Sequence, residues 1–147
     1  MKIRPMTHSD LDRVLEIEKL LFPKDAWSED LFLGELNEVP TTRAVSVVEK
    51  DGHVVGYASL RFIGREGDIN TIAVAPDFQR QGLGKLLLDW ILETAKSLGV
   101  RELFLDVRAD NEAAAAMYKS AGFERIDIRR NYYDHSVDAH VMRKKLS

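Results

Sequence analysis

The chain has 147 residues, a formal net charge of −3 and no cysteine. Its length and its 45% hydrophobic content suit one domain, residues 1–147, with a sizeable core. The lack of cysteine excludes a disulfide scaffold and a cysteine nucleophile, and the acidic balance gives no general reason to expect binding to nucleic acid. With no apolar signal segment and no membrane-length run, we expect a soluble, cytoplasmic protein. Four scattered histidines lack metal-ligand spacing, so no metal is expected: His8, His53, His135 and His140.

The first part of the chain predicts a strand followed by two helices. Residues 2–6 are strand-like, Thr7 is a good N-cap, and apolar residues at mostly helical spacing follow until Pro23. A short loop then leads to Ser28, which precedes two acidic residues and should begin a second helix that ends near Asn37.

The next segment predicts an antiparallel meander of three strands. Residues 42–49 and 54–63 are strand-like, and the Asp51-Gly52 pair between them is a strong hairpin signal. A turn over residues 64–67 should lead to the third strand, whose apolar run covers 69–74.

The last part of the chain predicts two helices and three further strands. An amphipathic helix should end near Gly99, and the apolar strand that follows it should pair parallel with the strand ending at Val74. The fold class is therefore α+β, with a mixed, mostly antiparallel sheet and helices on both faces. The remaining elements are a strand over 102–107, a helix over 111–121 capped by Gly122, and strands over 123–130 and 137–144.

The stretch QRQGLG, residues 79–84, lies between a predicted strand and a predicted helix. Glycines let the backbone approach a ligand, and the start of a helix directs unpaired N–H groups towards it, which favours an anion site. A tight turn that brings helix and strand together is the alternative for so short a motif. Lys85-Leu86 follows Gly84, so neither the P-loop pattern nor the dinucleotide-binding glycine pattern fits.

Three segments, NTIAVAPDFQRQGLGKLLL, LFLDVRADNEAAAAMYKSAGF and RRNYY, together resemble the GNAT superfamily of N-acetyltransferases. Within it they are similar to the bacterial RimI-type enzymes that acetylate protein N-terminal alanine. The superfamily pattern Q/R-x-x-G-x-G/A is met by Gln79, Gly82 and Gly84, and the likeness is strongest over residues 68–133.

The resemblance implies acetyl-CoA as co-substrate and no metal. It implies that backbone amides of residues 80–85 hold the pyrophosphate, and that the pantetheine arm pairs with the backbone of residues 72–74. The implied cofactor-binding residues are Ile72, Ala73, Val74, Gln79, Arg80, Gln81, Gly82, Leu83, Gly84, Lys85, Asn111 and Tyr118.

For this pairing, the strand ending at Val74 needs exposed N–H and C=O groups where it separates from its parallel neighbour. We therefore expect the central parallel pair to splay into a V, with the thioester deep in the opening. The resemblance and the strand geometry favour the Val74 N–H as the donor to the thioester oxygen.

Asp106 ends an otherwise apolar strand, LFLDV, where a carboxylate is out of place in a core. It either points into the opening or serves as a helix-capping or salt-bridging residue, for instance with Arg108. RimI-like enzymes carry glutamate here as the proposed general base. The aspartate side chain is shorter by one C–C bond, about 1.5 Å, so we expect a water between Asp106 and the substrate amine.

Tyr118 lies in the middle of the fourth predicted helix, where a tyrosine is usually a core residue. The resemblance implies that its hydroxyl lies near the CoA sulfur and acts as general acid, which is the interpretation we favour. Asn111 is a good helix N-cap, and the resemblance adds a contact with the pantetheine.

The aromatic residues of RRNYY, Tyr132 and Tyr133, either cover a hydrophobic rim or form a wall of a peptide site. Trp27 and Phe32 are candidates for the opposite wall, although core packing is expected for at least one of them.

The resulting interpretation is an enzyme that acetylates a protein N-terminal amine, in the RimI manner the alanine of a small-subunit ribosomal protein. An acetyltransferase acting on lysine or a small amine is left open. So is a non-catalytic CoA-binding sensor or interaction module, for which Asp106 in place of glutamate is the hint. The expected partner is a protein N-terminal peptide, with no nucleic acid and no membrane, and a complex with other proteins is left open.

Overall fold

The computed structural model describes residues 1–133 and 136–146, so His135 lies outside the described residues. One seven-stranded sheet has the order β1-β2-β3-β4-β5-β7-β6, and its pairs are antiparallel except for β4 with β5. The elements are β1 (Lys2–Pro5), α1 (Leu11–Leu21), α2 (Glu29–Asn37), β2 (Arg43–Lys50), β3 (His53–Ile63), β4 (Glu66–Val74), α3 (Leu83–Ser97), β5 (Glu102–Arg108), α4 (Glu112–Ser120), β6 (Glu124–Tyr133) and β7 (Val137–Lys145). The predicted α+β class, with its parallel central pair, is confirmed.

Apolar residues pack on both faces of the sheet, which accounts for helices on both sides. One core cluster joins α3 to the sheet through buried residues such as Leu87 and Ile91. The other joins α1 and α2 to the opposite face through Val14, Ile17 and Phe32. Within the described residues, no helix combines the length and the hydropathy that crossing a membrane requires.

The N-terminal helices begin at capping residues, as predicted in part. Ser28 caps α2 by accepting a hydrogen bond from Leu31 N (3.2 Å). Thr7 caps a short 3-10 turn, His8–Asp10, rather than α1 itself, so the prediction for Thr7 was wrong by one turn. The turn forms because the Asp10 carboxylate accepts a hydrogen bond from Thr7 N (2.8 Å) and closes a capping box.

Of the two predicted turns of the meander, the one at residues 51–52 is confirmed and the one at residues 64–67 is wrong in its extent. Asp51 and Gly52 both have positive φ, 52° and 79°, as a type I′ hairpin requires. The predicted 64–67 turn is too long, because β4 already begins at Glu66. Gly67 is a strand residue, and a Cβ there would lie 2.9 Å from Leu103 Cδ2, so glycine permits close packing against β5.

The parallel pair separates after three residues. Positions 66–68 of β4 pair with 102–104 of β5, and no pairing joins the rest of β4 to the rest of β5. The predicted V-shaped opening is therefore confirmed.

A β-bulge in β4 lies at the point of separation. Ser59 of β3 pairs with Thr71 while Leu60 pairs with Ile69, so Asn70 is the extra residue. Bulges bend a strand and change the direction of a side chain.

Candidate active site

A cleft of about 170 Å³ occupies the space between the splayed strands. β4, β5 and α4 all contribute to its lining, and Asp106 and Tyr118 face the same space. An adjoining cavity continues past Asp106 towards the end of β6. The cleft is lined by Glu18, Phe22, Asp25, Trp27, Ile69, Asn70, Thr71, Ile72, Asp106, Val107, Arg108, Asn111, Ala114, Tyr118 and Tyr133.

The open edge of β4 leaves backbone groups facing the cleft. Ala75 N donates to Val55 O (2.8 Å) on the β3 side. Because successive residues of a strand alternate in direction, Ala73 also faces β3, whereas Ile72 and Val74 direct their N–H and C=O groups towards β5, where pairing has ended. This edge fits an extended, amide-containing ligand.

The glycine loop gives α3 an open N-terminus. Gly82, the N-cap, has φ 82°, in the left-handed region that glycine tolerates, and the preceding Arg80 has φ 65°. The first intrahelical bond is donated by Leu86 to Gly82 O (3.0 Å), so the N–H groups of residues 83–85 have no intrahelical partner. These amides suit an anion.

Side chains of the glycine loop bond to the surrounding structure or pack in the core, and so leave the backbone N–H groups open to a ligand. Gln79 Nε2 donates to Val74 O (3.1 Å), which ties the loop to the open edge of β4. Gln81 accepts from Lys50 Nζ (2.6 Å), and Leu83 is buried in the core, so Leu83 offers a ligand its backbone only. At Gly84, a Cβ would lie 3.3 Å from Met117 Sδ.

Lys85 and the loop lie apart from the cleft. The ammonium group of Lys85 is 3.0 Å from Asp89, one turn along α3, and its side chain is 75% exposed. None of the loop residues 79–85 lines the cleft between β4 and β5.

Asp106 lies on β5 beyond the last β4–β5 pair and lines both cavities. Its side chain is 30% exposed, and the Arg129 guanidinium lies 3.5 Å from its carboxylate. Both alternatives for Asp106 thus hold, since it faces the opening and forms a salt bridge, but its partner is Arg129 and not Arg108, which contacts Asp25 and Asp110. Partial burial raises the pKa of Asp106 above its ordinary value, while the Arg129 charge opposes that rise.

Tyr118 is buried in α4 and packs edge-on against Phe123, with ring centroids 5.7 Å apart. Burial, and to a smaller extent the Tyr133 phenol, raise the pKa of Tyr118 well above its usual range. The hydroxyl therefore stays protonated at neutral pH. Asn111 caps α4 as predicted, with Oδ1 accepting from Ala114 N (3.1 Å), and it lines the cleft as well.

Two aromatic walls border the cleft. Trp27 lines both cavities, whereas Phe32 is buried and packs on Trp27 and Tyr57, which confirms core packing for one of the pair. On the other side Tyr132 and Tyr133 line the adjoining cavity, and Tyr133 also lines the cleft. These two tyrosines belong to edge strand β6, which extends beyond the predicted strand over 123–130.

The cleft also contains a buried carboxylate, Glu18, that was not predicted from the sequence. Glu18 is 2% exposed and accepts hydrogen bonds from the Tyr57 hydroxyl (2.5 Å) and from Trp27 N (2.9 Å). Burial raises its pKa. Its position on the apolar stripe of α1 was the available signal, because a charged residue there needs a buried partner.

Arg108 also has a structural role that the sequence did not indicate. Its guanidinium lies 2.5 Å from Asp25, in the loop between α1 and α2, and 5.1 Å from the Tyr133 ring centroid. It thereby joins three walls of the cleft. Among the described residues, no cluster of three or more acidic or histidine side chains is arranged to hold a metal.

The splayed strands and the open helix N-terminus suit an extended ligand with an anionic end. Residues 11–123 match the acetyltransferase (GNAT) family, and the chain belongs to that family. It is an N-acetyltransferase.

Several of its relatives carry names of the RimI group. The N-alpha-acetyltransferase RimI of Mycobacterium tuberculosis is 39% identical over 148 residues, covering 97% of this chain and 90% of the relative. The ribosomal protein bS18-alanine N-acetyltransferase of Escherichia coli is 36% identical over 150 residues, covering 99% and 97%. A crystal structure of the ribosomal-protein-S18-alanine N-acetyltransferase from Escherichia coli superposes with a TM-score of 0.87 at 34% identity, covering 99% of this chain and 94% of that one.

Proposed function

We propose that this protein transfers the acetyl group of acetyl-CoA to the N-terminal amine of a protein, the N-terminal alanine of ribosomal protein bS18. The observation that carries the proposal is that Asp106 and Tyr118 line one cleft, which opens where β4 and β5 separate. The name of the Mycobacterium tuberculosis relative supports an α-amine, and the name of the Escherichia coli relative supports the alanine of bS18. The cytoplasm, where ribosomal proteins are made, is the proposed location.

The fold offers acetyl-CoA two binding surfaces in sequence. The pyrophosphate binds at the N-terminus of α3, where the amides of residues 83–85 and the loop before them face outwards. The pantetheine arm lies along the open edge of β4, with Ile72 and Val74 as backbone partners and Asn111 on the opposite side. Gln79 couples the two surfaces through Val74 O.

In the transfer step the amine nitrogen attacks the thioester carbonyl, so a C–N bond forms and the C–S bond breaks. Asp106 takes the amine proton through a water, as its short side chain requires. Tyr118 gives its proton to the leaving sulfur, and the Val74 N–H stabilises the carbonyl oxygen.

The electrostatics of the two residues suit these roles. A raised pKa makes Asp106 a stronger base, and a protein α-amine needs little assistance because its ordinary pKa is about 7.7 to 8.0. A raised pKa keeps the Tyr118 hydroxyl protonated well above neutral pH, although it also makes the phenol a weaker acid.

The peptide enters from the side of Trp27, Tyr132 and Tyr133, whose rings border the cavity next to Asp106. Arg129 lies 5.5 Å from the Tyr132 ring and 3.5 Å from Asp106, so it joins this wall to the proposed base.

A panel of peptides with different first residues, incubated with acetyl-CoA, tests the proposal. We expect CoA release with an alanine N-terminus and none with the same peptide blocked by an acetyl group. CoA release only with lysine or polyamine substrates would favour the small-amine or lysine alternative. Binding of CoA without release under any condition would favour a sensor.

A further inference from the structure

Glu35 of α2 is a buried carboxylate that the acyl-transfer chemistry does not use. It is 5% exposed, and three donors surround it. Ser59 Oγ and Asn70 Nδ2 each donate to Oε1 at 2.7 Å, and Arg43 Nε donates to Oε2. A buried carboxylate with this many donors is rigidly held.

Asn70 connects this buried group to the cleft. It is the extra residue of the β4 bulge, and the bulge directs its side chain towards Glu35 while Ile69 packs in the α3 core. Asn70 also lines both the cleft and the adjoining cavity, as Asp106 does.

The contact with Glu35 decides which end of the Asn70 amide is available to a ligand. An ionised carboxylate only accepts hydrogen bonds, so the amide NH₂ must face Glu35 and cannot exchange places with the carbonyl oxygen. The carbonyl oxygen is then the free end of the side chain. The cavities that the proposed base also lines are therefore presented with a fixed, neutral acceptor.

We propose that Asn70 Oδ1 accepts a hydrogen bond from the α-amine of the substrate, and that Glu35 is the positioning residue that holds Asn70 in this orientation. The inference rests on the proposed function, because it requires an amine substrate. The neutral α-amine has two protons. One leaves through Asp106, and the other, which stays in the amide product, is held by Asn70 while the nitrogen attacks the thioester.

A neutral acceptor suits this position better than a further carboxylate. A second negative charge next to the amine would favour the ammonium form and raise its pKa, which delays the loss of the proton. An uncharged amide oxygen also orients the nitrogen, and it raises the pKa of the substrate amine less than a carboxylate would. Asn70 thus adds orientation, and Asp106 adds basicity.

Three variants test the proposal, with acetyl-CoA and an alanine-terminated peptide as substrates. Asn70→Ala removes the acceptor. Glu35→Gln keeps Asn70 but directs the glutamine oxygen to the Arg43 guanidinium, so the glutamine NH₂ meets Asn70 and reverses its amide. Ser59→Ala is the matched control, because it removes the other neutral hydrogen bond to the same Glu35 oxygen and Ser59 is buried in β3, outside the cleft.

We expect Asn70→Ala and Glu35→Gln to raise the peptide KM roughly tenfold, the value of one hydrogen bond, with the acetyl-CoA KM unchanged. Ser59→Ala should leave both KM values within twofold of wild type. A peptide KM for Asn70→Ala within twofold of wild type would overturn the proposal, as would an equal rise for Ser59→Ala, which would indicate a general loosening.

The same experiment separates this inference from the proposed function. If the wild-type protein is active and Asn70→Ala has the same kinetics, only the proposed role of Asn70 is contradicted, and the proposed function stands. A wild-type protein that acetylates none of the peptides contradicts the proposed function and removes this inference with it. If Glu35→Gln does not fold, as its melting curve would reveal, the Asn70→Ala and Ser59→Ala pair decides the question.

Discussion

Replacing Tyr118 with phenylalanine removes one hydroxyl and leaves the packing of the ring. The side chain is 7% exposed and its ring lies edge-on to Phe123, so a phenylalanine ring fits the same space. We expect the free energy of unfolding to change by less than about 1 kcal/mol. The hydroxyl, however, is the proposed proton donor to the leaving sulfur.

The expected loss of rate is large compared with this change in stability. General acid catalysis contributes about 10²- to 10⁴-fold, so kcat for Tyr118→Phe should fall by that factor, which is roughly 2.7 to 5.4 kcal/mol in the barrier. The acetyl-CoA KM should stay within about twofold of wild type, because the contacts that bind acetyl-CoA in the ground state are retained. Burial holds the pKa of Tyr118 above its ordinary 10.0, so wild-type kcat should show no loss of this acid up to pH 10.

The assay measures free CoA thiol with a thiol-reactive dye, at saturating acetyl-CoA and alanine-terminated peptide, with melting temperature as the control for folding. If Tyr118→Phe keeps more than about a third of the wild-type kcat, the hydroxyl is not the proton donor. A fall of several kcal/mol in the free energy of unfolding would contradict the expectation that the phenylalanine ring keeps its packing, and a lowered kcat could then not be assigned to the hydroxyl.

Three further predictions concern the base, the N-terminal turn and the glycine loop. Asp106→Asn should lower kcat at least tenfold in the CoA-release assay and leave acetyl-CoA affinity unchanged. Because burial raises the folded pKa of Asp106, its charge costs stability at neutral pH, so the melting temperature of this variant should not fall. A lower melting temperature would contradict this second expectation. Asp10→Asn should cost about 2 kcal/mol at pH 7 in urea unfolding, since asparagine has one acceptor oxygen for the two 2.8 Å bonds that Arg4 donates and lacks the negative charge. The Arg4 hydrogen bonds lower the folded pKa of Asp10 below the ordinary 3.8, so this difference is fully present above pH 3.8 and must shrink as pH falls below it. Gly82→Ala should raise the acetyl-CoA KM, because φ 82° is strained for alanine, while Gly52→Ala at φ 79° should cost similar stability and leave that KM unchanged.

Local signals predicted most of the elements. The Ser28 cap, the Asp51-Gly52 hairpin and the apolar stripe of α3 each depend on a few neighbouring residues, and each agrees with the structure. The 64–67 turn was wrong because Gly67 has a packing reason that depends on β5, far away in sequence. Glycine alone does not distinguish a turn from a close approach.

The contacts within the cleft were harder to predict from the sequence than its main residues. Asp106 and Tyr118 were predicted, and the structure brings them to one cleft. The partner of Asp106 depends on the β5-β7-β6 strand order, which places Arg129 near it across the sheet. Periodicity does not provide that order.

The hydrogen bond between Asn70 and Glu35 could not be predicted from the sequence either. The contact between Asn70 and Glu35 joins positions 35 residues apart and requires the β4 bulge, which no local pattern announces. Buried polar networks of this kind depend on tertiary structure.

The central claim is that the acetyl group is transferred to a protein α-amine. Mass spectrometry of a peptide that carries both a free alanine N-terminus and an internal lysine, after incubation with this protein and acetyl-CoA, tests it directly. Fragment ions should place the acetyl group on the N-terminal nitrogen, and Tyr118→Phe should reduce that product at least a hundredfold. An acetyl group on the lysine side chain, with the α-amine left free, would contradict the account.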